Sequence, residues 1–166
     1  RDVNAELIDR YYDAGWNRYE DIRRCNMVLA RVPEAPFTNA EKVNFIAQAK
    51  TIRAMIYFTR ARLFGKLMLV KELIDPEADM KFSRTATVKE TYDFILNDLR
   101  EAAPDLPVDA PSGALSRGVA YALLGEAALH GAAYIEDGHE EYYRIAAKAC
   151  EDLFALNKYS LDVDYA

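Results

Sequence analysis

The chain has 166 residues, 51% of them hydrophobic, enough to bury a core of its own instead of remaining disordered. Its 27 acidic residues against 21 basic ones leave a net charge of −6, with no cluster of Lys and Arg able to neutralise several phosphates, which excludes nucleic acid as a partner. No apolar run approaches the roughly 20 residues of a membrane-spanning helix, and the opening "RDVNAELIDR" carries no apolar signal core.

The first periodic segment runs from about Asn4 to Val32, with Leu7, Tyr11, Tyr12, Tyr19, Ile22 and Val28 at helical intervals, and "RVPEAP" ends it because proline cannot continue a helix. The second takes Asn39 as N-cap and Glu41 as first-turn carboxylate, and carries Val43, Ile46, Ile52, Ile56, Leu63 and Phe64 to a stop at Gly65. A long irregular connection at about 66–86 follows, an extended excursion or short strand pair. The third segment opens at Thr87, whose spacing to Glu90 is that of a capping box, and runs through Tyr92, Ile95, Leu96 and Leu99 to "APDLP". The fourth begins at Ser116 and is dense in Ala and Gly; the stripe Ala122, Gly125, Ala128 and Ala132 predicts close contact with another helix. After "EDG", a fifth runs from about His139 to Leu156. Five helices with short returns predict an all-α fold of antiparallel pairs. Cys25 and Cys150 fall on separate helices without zinc-ligand spacing and are read as buried free thiols.

"WNRYEDIRRCN", "IRAMIYFTRARLFGKLMLV", "TVKETYDFILNDLREAAPDLP", "LSRGVAYALLGEAALHGAAY" and "FALNKYSLDVDY" occur in the order and at the spacing of the SusD/RagB family. They resemble its early Trp, Tyr, Ile and Asn pattern, its Arg-Ala-aromatic helix ending in Phe-Gly, its Asp-Leu helix before Leu-Pro, its Lys/Arg-Gly-x-Ala helix and its closing Tyr-x-Leu. Gln48 stands where that family commonly has glutamate, Met68 where it has proline, and Met55 and Ile56 where aromatics are common. The resemblance implies tetratricopeptide-like helix pairs and residues 1–166 as one helical domain or a fragment of a larger one. It further implies a surface-exposed outer-membrane lipoprotein, anchored through a lipid absent from this chain, that captures oligosaccharides or another nutrient and passes them to a SusC-like transporter barrel. The family's sugar contacts are expected to lie largely outside these residues. The alternative is a tetratricopeptide-like protein–protein interaction scaffold.

Three arginines sit among the apolar residues of the second segment. At 100° per residue Arg53 and Arg60 share a face with Tyr57 between them, whereas Arg62 points the opposite way, so they form no single basic patch. Each is expected to pass its stem over apolar surface and pair with a carboxylate, Asp21 or Asp98. Arg53, Arg62, Gly65, Asp98 and Gly125 are therefore structural candidates. Tyrosines and tryptophan suit a sugar binder, because flat rings with a polar edge stack on the C–H faces of pyranoses. Tyr12 and Trp16, four apart, are the ligand-binding candidates, though that spacing also fits packing. Catalytic signals are missing: no nucleophile elbow, no phosphate loop, and "HEEYY" lacks the second histidine of a zinc helix. No enzyme activity, cofactor or metal is expected.

Overall fold

The computed structural model describes residues 18–74, 84–85 and 87–160. Five α-helices follow one another: α1 (Arg18–Arg31), α2 (Asn39–Phe64), α3 (Val88–Ala102), α4 (Arg117–Ala132) and α5 (His139–Ala155). Single 3-10 turns, Val32–Glu34 and Ala103–Asp105, close α1 and α3, each with proline near its start, where a missing N–H costs nothing. No strand occurs among the described residues, and residues 67–74 of the connection are irregular.

Local chemistry explains the helix ends. The N-cap of α2 is Thr38, not the expected Asn39. Its hydroxyl accepts from the Glu41 N–H at 3.3 Å, and the Glu41 carboxylate returns to the Thr38 N–H at 2.8 Å. This reciprocal pair satisfies two orphan donors where Asn39, one residue later, would leave them open. Thr87 and Ser116 cap α3 and α4 by accepting from Glu90 and Val119. Gly65 ends α2 at φ +65°, a conformation that costs a side chain dearly, while its N–H donates to Ala61 at 2.9 Å.

Cross-helix pairs establish the direction of packing. Along α2 and α3, Lys50 meets Glu101, Arg53 meets Asp98, Tyr57 meets Phe94 and Phe58 meets Tyr92, so one helix rises as the other falls. The same antiparallel order joins α1 to α2, α3 to α4 and α4 to α5, as in tetratricopeptide-like stacks. The core runs through all five helices: Ile22 from α1, Ala54 and Tyr57 from α2, Ile95, Leu96 and Leu99 from α3, Ala127 and Ala128 from α4, Tyr142 and Ala149 from α5. A smaller cluster of Ala47, Ala102, Ala103, Leu106 and Ala120 closes one end.

Several expected positions differ. Val43, Ile52, Leu63 and Phe64 of α2 are exposed, because the buried side of this helix is taken by alanines, Ile56, Tyr57 and Phe58 together with Thr51, Arg53 and Arg60. Ala122 is exposed and leaves the predicted stripe of α4; Gly125, Ala128 and Ala132 are buried, with Gly125 against α5. Cys25 is buried as expected, whereas Cys150 is exposed near the end of α5.

Candidate functional site

The most heavily hydrogen-bonded point of the interior lies where α1, α2, α3 and the chain after Gly65 meet. Arg53 is 5% exposed and Asp98 2%. The guanidinium donates from Nε and Nη2 to the two Asp98 oxygens, both at 2.7 Å, and from Nη1 to Asn26 Oδ1 at 2.6 Å and the Lys71 carbonyl at 2.8 Å. Arginine suits this place because its planar fork matches a carboxylate edge to edge and leaves a further nitrogen for other acceptors. Burial pushes the Asp98 carboxyl above the ordinary aspartate value, and the bonds from Arg53 oppose that shift. Asn26 Nδ2 donates to the carbonyls of Val70 and Glu72, both at 2.9 Å. Tyr57 Oη accepts from the Val70 N–H at 2.8 Å, and Tyr19 Oη donates to the Met68 carbonyl at 3.2 Å. Residues 68–72, which no sheet or helix supports, thus bind to side chains of α1 and α2.

The other two arginines behave differently. Arg60 is buried with its guanidinium 4.6 Å from the centre of the Tyr19 ring. Arg62 is exposed, 3.5 Å from Glu126 and over the Phe58 ring at 5.6 Å. Of the two carboxylates considered beforehand, Asp98 meets Arg53, while Asp21 lies 3.2 Å from Arg24 on its own helix. Gln48 clamps the turn before α4: its Nε2 donates to the Leu115 carbonyl at 2.8 Å and its Oε1 accepts from the Leu115 N–H at 2.9 Å.

Two surface features stand out. A shallow cleft of about 440 Å³ lies along α3, α4 and α5, floored by Tyr121, Leu124 and Ile145 and rimmed by Arg100, Glu141, Arg144 and Lys148. Its rim charges already pair: Arg144 with Glu140 and Glu141, Lys148 with Asp152. The second feature is a column of rings. Tyr92 stacks on His130 (5.9 Å between centres, 22° between planes), and His130 stacks on Tyr134 (4.8 Å, 24°). The Tyr92 hydroxyl and His130 Nδ1 are 2.7 Å apart. Burial and the Arg62 charge hold the His130 pKa below its ordinary value, and burial pushes the Tyr92 phenol up to about 12.

Tyr12 and Trp16 lie outside the described residues. Gly125 faces Cys150, Ala146 and Ala149 of α5 at ordinary contact distance. The tighter approaches, which sequence reasoning missed, are at Gly118 and Gly131: a methyl group at Gly131 would lie 2.7 Å from Tyr92 Cδ1 and 2.8 Å from Tyr142 Cε1, and one at Gly118 would overlap the Tyr159 ring. Spacing cannot separate these glycines from Gly125, because their partners come from distant elements. Asn26 entered the sequence reading only as the Asn of the early pattern in "WNRYEDIRRCN", with no role assigned to it. Among the described residues no group of three His, Cys, Asp or Glu side chains is placed to hold a metal, and no helix is long and apolar enough to cross a membrane.

A family model, SusD-like and described as starch-binding associating with outer membrane, matches residues 2–129. A curated SusD-like protein of Formosa agariphila is 26% identical over 144 residues, which make up 86% of this chain and 26% of the relative. Among solved structures, a SusD superfamily protein from Parabacteroides distasonis is 30% identical with a TM-score of 0.82, covering 99% of this chain and 34% of that one. A laminarin-binding SusD-like protein is 27% identical with a TM-score of 0.72, covering 84% and 29%. The chain thus spans between about a quarter and a third of the length of these relatives.

Proposed function

Because the chain belongs to the SusD-like family of starch-binding proteins associated with the outer membrane, we propose that it is part of a surface-exposed lipoprotein that captures oligosaccharides and passes them to a SusC-like transporter barrel. The observation that carries this reading is the family match over residues 2–129, supported by the laminarin-binding relative at 27% identity. The family is one of binding proteins, not enzymes. Within this chain, buried polar bonds and close helix contacts supply a rigid frame, which a binding surface needs if its groups are to meet a flexible sugar without first being ordered.

The test uses the full-length protein, whatever chain flanks residues 1–166 in it. On native gels containing starch, laminarin or an unrelated charged polysaccharide, migration should be retarded by at least one neutral glucan. Pull-down from detergent-solubilised outer membranes should recover a transporter barrel. Unretarded migration in every glucan gel would remove the capture role, and capture without a barrel would remove the hand-over.

One observation favours the interaction-scaffold alternative. Ile52, Met55 and Leu63 are exposed and, with Phe45, whose ring meets Phe37 edge-on at 5.1 Å, fall within about 80° of one another around α2, an exposed apolar stripe. Recovery of a protein partner with no glycan retention would select that reading.

A further inference from the structure

The side of the stack that faces away from α3 is apolar on two helices at once. On α2, Phe45, Ile52, Met55 and Leu63 are each at least 37% exposed. They form a row about 27 Å long at 1.5 Å of rise per residue, which Phe37 extends by meeting Phe45 edge-on. On α4, Val119 and Leu129 are 41% and 58% exposed, with exposed Ala122 between them. At 100° per residue the α2 row lies roughly opposite Lys50 and Tyr57, which meet α3, and Ala122 and Leu129 lie roughly opposite Gly131, which meets it too.

The two helices run in the same direction. Gln48 holds Leu115 at their heads, while further along Phe58 meets the His130 ring and Arg62 pairs with Glu126. This register sets Ile52 near the level of Val119, Met55 near Ala122 and Leu63 near Leu129, so the rows stand side by side. Polar groups beside them are already engaged, Gln48 with the Leu115 backbone and Arg62 with Glu126. A long, open face of this kind does not suit an oligosaccharide, which needs convergent hydrogen-bond partners; it suits a second apolar surface. Folded monomers seldom leave so continuous an apolar area bare.

The path of the chain says where that surface comes from. After α5 the backbone returns to the head of α4, where the Tyr159 ring lies against Gly118 and its hydroxyl is 3.4 Å from Ser116 Oγ. Ser116 adjoins Leu115, the residue held by Gln48 of α2, so the chain passes Tyr159 beside the start of both rows. The greater part of the relatives' length lies outside the region they share with residues 1–166. A segment tethered at the head of the face has an effective concentration there on the order of millimolar, which favours it over any separate molecule. We propose that the α2–α4 face is an internal interface of the full-length protein, covered by apolar side chains of the chain that follows residue 166. It is then closed to separate partners and fixes the helical part against the rest of the protein, whichever glycan that protein binds.

Peroxide oxidation of the full-length protein, read by peptide mass spectrometry, tests the cover without any substitution. Met55 is 41% exposed in residues 1–166. Under a cover its thioether should oxidise at least about tenfold more slowly in the native protein than in urea, whereas at its present exposure the slowing should be only about two- to threefold. A photo-crosslinker identifies the occupant. With p-benzoylphenylalanine in place of Leu129 or of Val119, irradiation should give an adduct within one molecule to a peptide that follows residue 166. Met55 oxidised within about threefold of its rate in urea would overturn the proposal. So would adducts to a second copy, to another protein or to chain before α1, and so would the absence of any adduct from both positions.

Discussion

At Arg53 four N–H groups reach oxygens of three partners, and the cost of removing a charge from water is met only while all of them are present. Asp98→Ala is therefore expected to cost about 3–5 kcal/mol in urea unfolding, because it strands a buried guanidinium, and Arg53→Lys should lose most of the same stability, a compact ammonium being unable to fork onto both oxygens. Gln48 supports a subtler expectation. Its amide both donates to and accepts from the Leu115 backbone, whereas a carboxylate there only accepts and would face the Leu115 carbonyl with like charge. Gln48→Glu should cost about 1–3 kcal/mol, measured by the shift in urea midpoint at unchanged slope. His130 adds a pH dependence. Its folded pKa lies below the ordinary 6.5, so the fold favours the neutral ring. That contribution is complete above about 6.5 and is lost as the pH falls through the folded value. An NMR titration should place the His130 midpoint below 6.5, and His130→Gln should flatten the fall in melting temperature across that window.

At the scale of helices, the contact between α4 and its neighbours depends on which glycine is crowded. A methyl group at Gly131 meets ring carbons of Tyr92 and Tyr142 at 2.7 and 2.8 Å, and both rings are buried. One at Gly125 meets Cys150 Sγ at 3.5 Å and Ala149 Cβ at 3.7 Å, ordinary contact distances. Gly131→Ala should thus destabilise by about 1–3 kcal/mol through overpacking. Gly125→Ala should be neutral or stabilising by up to about 1 kcal/mol, since alanine is the better helix former, and only a larger residue such as leucine should overpack there. Thermal melts of the three variants order them: equal losses for both alanine variants would show that crowding does not decide the outcome.

Over the whole molecule each helix packs mainly on its neighbours in the chain, so stability accumulates along the stack and each end covers the one before it. The terminal described helix, α5, covers Gly125 and Gly131 of α4, and its Tyr142 hydroxyl donates to Asp93 of α3 at 2.8 Å. Ending residues 1–166 at Asp137 should uncover that small-residue face and turn a cooperative melt into a broad one with aggregation, visible by size-exclusion chromatography. A sharp melt of a monomeric product would show that α1 to α4 are sufficient by themselves.

The helices, their order and most of their ends were legible in the sequence, because helical period, capping hydroxyls, Pro and Gly are local signals that hold wherever the segment packs. The family, too, was legible, through motifs spread along the chain. Local signals also misled in small ways: Asn39 is as good a cap by composition as Thr38, and only the reciprocal bond with Glu41 separates them. Tertiary structure alone decided which arginine is buried with a carboxylate, that Asn26 joins α1 to residues 70–72, that Ala122 and Cys150 are exposed, and that Tyr134 stands on His130 at the surface. Each of these depends on groups from separate elements arriving at one place, and periodicity along a chain specifies the face of a helix but not what that face will meet.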